Sequence, residues 1–145
     1  MDIIRRNTDY ALRAAVELAG RFGNGPVATK ELSDRQDIPY QLACKLLQRL
    51  NKACIVKSIM GPAGGFMLSR NPSKITVRRV VEAVQGPVRL NKCLFEKGFC
   101  RLSQHCPINL ELGRLQKKIN AFLDGLSLRQ LSSAKTKDKR KRSRK

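Results

Sequence analysis

The chain has 145 residues, 41% hydrophobic and 5% aromatic without tryptophan, enough for one domain with an aliphatic core plus an arm or tail. Thirty basic residues against eleven acidic ones give a net charge of +19, and no apolar run approaches the length of a membrane span. The charged start, MDIIRRNTDY, holds no signal-peptide stretch, so the expected compartment is the cytoplasm, where thiols stay reduced.

The charge is partly local. The last eleven residues, KTKDKRKRSRK, supply +7 and leave +12 on residues 1–134. A body that basic suits a phosphate backbone, although a generally soluble basic protein carries the same signature.

In chain order, NTDYALRAAVELAGR (7–21) places Tyr10, Ala11, Ala14, Ala15, Leu18 and Ala19 on one helical stripe, which Gly23, Gly25 and Pro26 end. Thr29 is the expected cap of a short helix with Leu32 facing inward. After a turn at Asp37 and Ile38 comes PYQLACKLLQRLNKA, with Leu42, Ala43, Leu46, Leu47 and Leu50 on the core side. Two short apolar runs, Ile55 to Ile59 and Phe66 to Leu68, then flank the tip GPAGG and predict a β-hairpin. Thr76 can cap a helix over VRRVVEAV, which Gly86–Pro87 stops.

That order predicts a mainly α fold with a small β-hairpin wing: a winged helix-turn-helix over residues 1–87. Its second helix would read double-stranded DNA in the major groove. The core stripe leaves Tyr40, Gln41, Cys44, Lys45, Gln48 and Arg49 on other faces, with Gln suited to adenine and Lys to guanine or phosphate. At the tip, Gly61, Pro62, Gly64 and Gly65 could bring backbone against a phosphate, or simply form a tight turn.

Residues 88–106 hold CLFEKGFCRLSQHC, three of the five cysteines within fourteen residues. Disulfide partners, metal ligands and plain small hydrophobes all fit such a cluster, though an odd cysteine count suits a disulfide framework poorly. Beyond it, Ile108, Leu112, Leu115, Ile119, Phe122 and Leu126 recur at spacings of three and four. Residues 107–131 therefore predict a long helix suited to homodimerisation, since helix-turn-helix readers commonly pair on repeated half-sites. Residues 132–145 are expected to stay disordered, having no apolar residue after Ala134. An enzyme with a nucleophilic cysteine is disfavoured, because His105 is the only histidine and no oxyanion motif accompanies it.

Four stretches carry a family resemblance: NTDYALRAAVELA, LSDRQDIPYQLACKLLQRLNKACIVKSIMGPAGGFMLSR, ITVRRVVEAVQGP and the spaced cysteines. Together, over about residues 3 to 131, they resemble the IscR/NsrR group of bacterial transcription regulators, the Rrf-two family. The resemblance implies a homodimeric winged-helix repressor sensing redox state, nitric oxide or iron–sulfur status through a cluster, 2Fe–2S or 4Fe–4S. It implies Cys93, Cys100 and Cys106 as thiolate ligands, at intervals of six and five residues. The fourth ligand departs from one branch: the histidine expected three positions after the last cysteine is Asn109 here. In the other branch an N-terminal aspartate reaches across from the partner subunit, and Asp9 stands at that place. Cys44 occupies a reader position where relatives can carry Glu, and Met60 a wing position where Arg is common. Cys54 is expected to fill core space beside the wing. A cluster-free regulator answering to a protein partner or a thiol metabolite is the alternative.

Overall fold

The computed structural model describes residues 2–142, with side-chain environments up to Lys135. Helix α1 (Arg6–Gly20) buries Ala11, Ala14, Ala15, Leu18 and Ala19, so the alanine-rich stripe faces the core as expected. Helix α2 (Thr29–Gln36) starts one residue earlier than predicted. Ala28 is its cap without a side-chain bond, and Thr29 is already helical. Asp37 takes a left-handed conformation (φ 52°) that turns the chain sharply into α3 (Tyr40–Lys52).

Strands β1 (Val56–Ile59) and β2 (Gly65–Leu68) form the wing, antiparallel with Val56 opposite Leu68 and Ile59 opposite Gly65. Val27, between α1 and α2, exchanges two backbone hydrogen bonds with Phe66 at 2.8 and 2.9 Å, tying the wing to the helical body. Helix α4 (Val77–Gln85) is capped by Thr76, whose hydroxyl accepts from the Arg79 N–H, and ends at Gly86, both as predicted. Helices α5 (Pro107–Gly125) and α6 (Leu128–Arg142) complete the chain. Among the described residues the elements are therefore six α-helices, three short 3-10 turns and one two-stranded wing. No helix among the described residues is long and apolar enough to cross a membrane.

One core joins α1, α2, α3, the wing and Leu128 of α6, with Leu32, Leu47, Leu50, Ile55 and Leu128 fully buried. A second, smaller cluster sets Val77, Val81 and Val88 against Ile119, Leu123, Leu126 and Leu131. Helix α4 lies between the two and contributes to both, Val80 to the first and Val81 to the second.

Three expectations change. Cys54 is exposed rather than in the core; it sits at φ 56° where the chain leaves α3, and Ile55 takes the buried position instead. The long helix breaks at Leu126 and Ser127, because Val77 N–H donates to Leu126 and Leu128 N–H to Ile75, pinning that point against the start of α4. Helix α6 runs on into the basic segment as far as Arg142, within the stretch expected to be a disordered tail, while residues 143–145 lie outside the described residues. A reciprocal cap starts α6: Ser127 N–H donates to Gln130 Oε1 at 2.7 Å, and Gln130 N–H to Ser127 Oγ at 3.3 Å.

Candidate nucleic-acid interface and cysteine loop

Helix α3 is held along one side by Ala43, Leu46, Leu47 and Leu50, all buried. Tyr40, Gln41, Lys45, Gln48 and Arg49 are exposed, and Cys44 is half-buried. A side-chain hydrogen bond with Cys44 is the main cause raising the Tyr40 phenol above its ordinary value. Arg49 points elsewhere: its guanidinium donates to the Val84 carbonyl at 3.0 Å, linking α3 to the end of α4.

The wing's glycines have an internal explanation. A Cβ on Gly65 would stand 2.1 Å from the Val27 carbonyl oxygen, and one on Gly64 2.1 Å from that of Ile59. Both are therefore required by the closeness of backbone to backbone, whatever the wing touches outside. Gly61 differs, with a positive φ of 106° and open space where a Cβ would be. Beside it Met60 is 91% exposed, so the tip offers an apolar thioether in place of a cation.

The cysteine loop hangs between α4 and α5. Gln116 of α5, only 6% exposed, fastens its base: it donates to the Val88 carbonyl at 2.8 Å and accepts from Leu90 N–H at 2.9 Å. Asn109 donates to the Cys93 carbonyl at 3.2 Å, which gives this residue a structural task where the resembling branch has a histidine. The Arg89 guanidinium lies 5.1 Å from the Phe95 ring, and the Lys92 ammonium 5.7 Å from the Phe99 ring. Leu102 is 73% exposed, so apolar surface remains open on the loop.

Cys93, Cys100 and Cys106 carry free thiols and are each half-buried. As a donor set, three thiols on one loop suit iron–sulfur ligation. Yet among the described residues no three His, Cys, Asp or Glu side chains converge on a metal-sized point. Asp9 is exposed in the first turn of α1 with the Arg13 guanidinium 3.6 Å away, and His105 is exposed. Within the single chain the three thiols are thus not gathered into a metal-sized group.

Sequence reasoning missed the polar clamps. Gln85 is the clearest: its Oε1 accepts from Arg5 N–H (3.0 Å) and the Thr8 hydroxyl (2.7 Å), and its Nε2 donates to the Ile3 carbonyl (2.8 Å). Glu17 is another. Its side chain, 13% exposed, pairs with Lys135 at 2.9 Å and accepts from Gln36 at 2.7 Å, joining α6, α1 and α2. Burial works to raise its carboxyl, but the Lys135 hydrogen bond and the charges of Lys135, Arg35 and Arg21 outweigh burial and hold it below the usual carboxylate range. Only the start of α6 had a readable signal, the spacing of Ser127 and Gln130.

Residues 4–134 match the family described as Rrf2, iron-dependent transcriptional regulator. The chain belongs to the Rrf2 family. It is 35% identical over 84% of its length to the HTH-type transcriptional regulator IscR of Aliivibrio salmonicida, spanning 72% of that relative. Among solved structures it resembles CymR, the global cysteine regulator of B. subtilis, with a TM-score of 0.79 and 25% identity over 92% of this chain and 98% of that one. It also resembles IscR of T. potens, with a TM-score of 0.73 and 26% identity over 90% and 87% of the two chains. This Rrf2 chain is accordingly an IscR-like transcriptional regulator with a winged-helix fold.

Proposed function

We propose that the protein is a homodimeric, DNA-binding repressor whose operator affinity follows the state of its cysteine loop. Tyr40, Gln41, Cys44, Lys45 and Gln48 would face the major groove, with Gly61 and Pro62 of the wing along the backbone or minor groove. Two reader helices would enter successive grooves about 34–36 Å apart. Arg49 is assigned to holding α3 against α4, since its guanidinium is already engaged by Val84.

For the second copy, the supporting feature is α5. Ile108, Leu115 and Phe122 recur every seven residues and stand open, Ile108 at 67% and Phe122 at 70% exposure, while Ile119 and Leu126 pack inward. An apolar stripe of that period suits a helix–helix seam.

The cluster reading assigns Cys93, Cys100 and Cys106 as ligands, with Asp9 of the partner subunit completing the set. When bound, such a group supplies a redox- and nitric-oxide-sensitive centre, 2Fe–2S or 4Fe–4S. The chain's own part is to supply thiolates on a loop that is adjustable between its clamps at Gln116 and Asn109. The observation that carries this reading is the placement of three free thiols on that one loop in an IscR-like chain. Anaerobic purification with iron, sulfide and absorption measurements tests it: coloured protein that loses its colour with Cys100→Ala is expected. Colourless protein without iron that still binds its operator would overturn the cluster and leave the reader.

The second reading is a cluster-free regulator answering to a protein partner or thiol metabolite. It draws on the absence of converging ligands among the described residues and on the likeness to the cysteine regulator CymR. It predicts no iron and an affinity change on adding that partner.

A further inference from the structure

Three elements meet at the last two residues of α4. The Val84 carbonyl accepts from Arg49 of the reader helix at 3.0 Å. Gln85 commits its whole side-chain amide to the start of the chain, accepting from Arg5 N–H and the buried Thr8 hydroxyl and donating to the Ile3 carbonyl. Helix α1 has no side-chain cap of its own at Arg5, and Gln85 reaches from α4 to accept from the N–H of that cap residue. Directly afterwards Gly86, at φ 81°, ends α4, and Val88 and Leu90 are already gripped by Gln116 of α5.

This arrangement leaves little slack. Only Gly86 and Pro87 separate Gln85 from the clamped Val88, and each residue spans at most about 3.6 Å. Proline cannot be compressed or extended freely about φ. A displacement of the loop base therefore moves the end of α4, and Arg49 is bonded to that end. Gln85 decides what the movement is measured against, because it fixes the same end to α1 and hence to the main core.

We propose that Gln85 is the positioning residue that couples the cysteine loop to the reader helix. It holds the end of α4 in register with α1, so that movement at Val88–Leu90 reorients α3 through Arg49 instead of dissipating as loose motion of α4. The inference rests on the proposed control of DNA binding by the loop and names the contacts that transmit it. A packed junction with discrete hydrogen bonds is the kind of element that passes one arrangement to a distant site.

A double-mutant cycle on the full-length protein, purified anaerobically, tests the coupling. Operator affinity is measured for the parent, Cys100→Ala, Gln85→Leu and the double variant. Cys100→Ala is expected to change the parent's Kd by about 5- to 150-fold. In the Gln85→Leu background the same change should fall below about twofold, since a lost interaction removes the coupling term. A merely structural Gln85 would alter thermal unfolding and leave the ratio intact. If Gln85→Leu does not fold, Gln85→Glu replaces it: that variant keeps both accepted bonds, sets a carboxylate oxygen against the Ile3 carbonyl in place of the donation, and should cut the ratio by about half or more. Equal ratios in parent and variant overturn the role of Gln85 while the sensor stands. No effect of Cys100→Ala in the parent overturns the loop's control of DNA binding, and this inference with it.

Discussion

Helix α3 and the cysteine loop are held in opposite ways. Helix α3 buries four residues along one side, three of them leucines, and its exposed face is rigid because its hidden face is packed. The loop buries none of its three cysteines fully, leaves Phe95, Phe99 and Leu102 open to solvent, and is held by Val88 at its base, by local backbone bonds and by the amides of Asn109 and Gln116. If α3 reads operators as proposed, the surface that presents the same atoms to each is carried on a core. The loop proposed to respond to its surroundings is the less deeply buried of the two.

The sharpest break in that comparison comes from truncation. Leu50→Ala, at a fully buried position, should cost about 2–5 kcal/mol in denaturant unfolding, whereas Leu102→Ala should stay within about 0.5 kcal/mol. Equal losses would mean that the loop is packed like the helix.

Next in size is Gly65→Ala. A Cβ there meets the Val27 carbonyl at 2.1 Å on a backbone with φ 151°, so the wing must detach from the body. We expect a loss of more than about 1 kcal/mol, with operator affinity falling alongside. Gly61→Ala, in open space, should cost less, through its positive φ alone.

Acidification probes the polar ties. Glu17 titrates below its ordinary value of 4.5 because its cationic partners outweigh burial, so its contribution is present above that pH and is lost as pH falls through the lowered value. Glu17→Gln should therefore be less stable than the parent by about 1 kcal/mol at neutral pH. The two should converge in acid, in parallel thermal melts across pH.

The smallest effect sharpens the reader. Met60→Arg adds a cation at the wing tip, where Met60 is almost fully exposed. If the wing lies along DNA, it should steepen the dependence of log affinity on log salt by about 0.9, one further phosphate contact. An unchanged slope would place the wing tip away from the duplex.

How much of this was legible follows from the kind of contact involved. Helices α1 to α4 and the wing were readable because their apolar residues repeat with the helical or strand period and glycines and prolines punctuate them. The α5–α6 break was hidden, since Leu126 and Leu128 continue an apolar pattern across it and the stop comes from a backbone pairing with Ile75 and Val77. Cys54 looked like a core residue by type, but the left-handed turn out of α3 gave the buried site to Ile55. Of the candidate site, the exposed face of α3 followed from its periodicity. Arg49's engagement with Val84, and the roles of Gln85, Asn109 and Gln116, depend on which distant carbonyl each amide or guanidinium meets, and no local pattern encodes that.

Leu128 has a consequence for how the molecule is made. This residue of the last helix is fully buried in the same cluster as Leu18 and Leu32. The main core therefore cannot be completed when residue 87 leaves the ribosome; it must wait until Leu128 has emerged. A nascent chain stalled short of Leu128 would leave an aliphatic hole in that core, the kind of surface that chaperones and proteases engage.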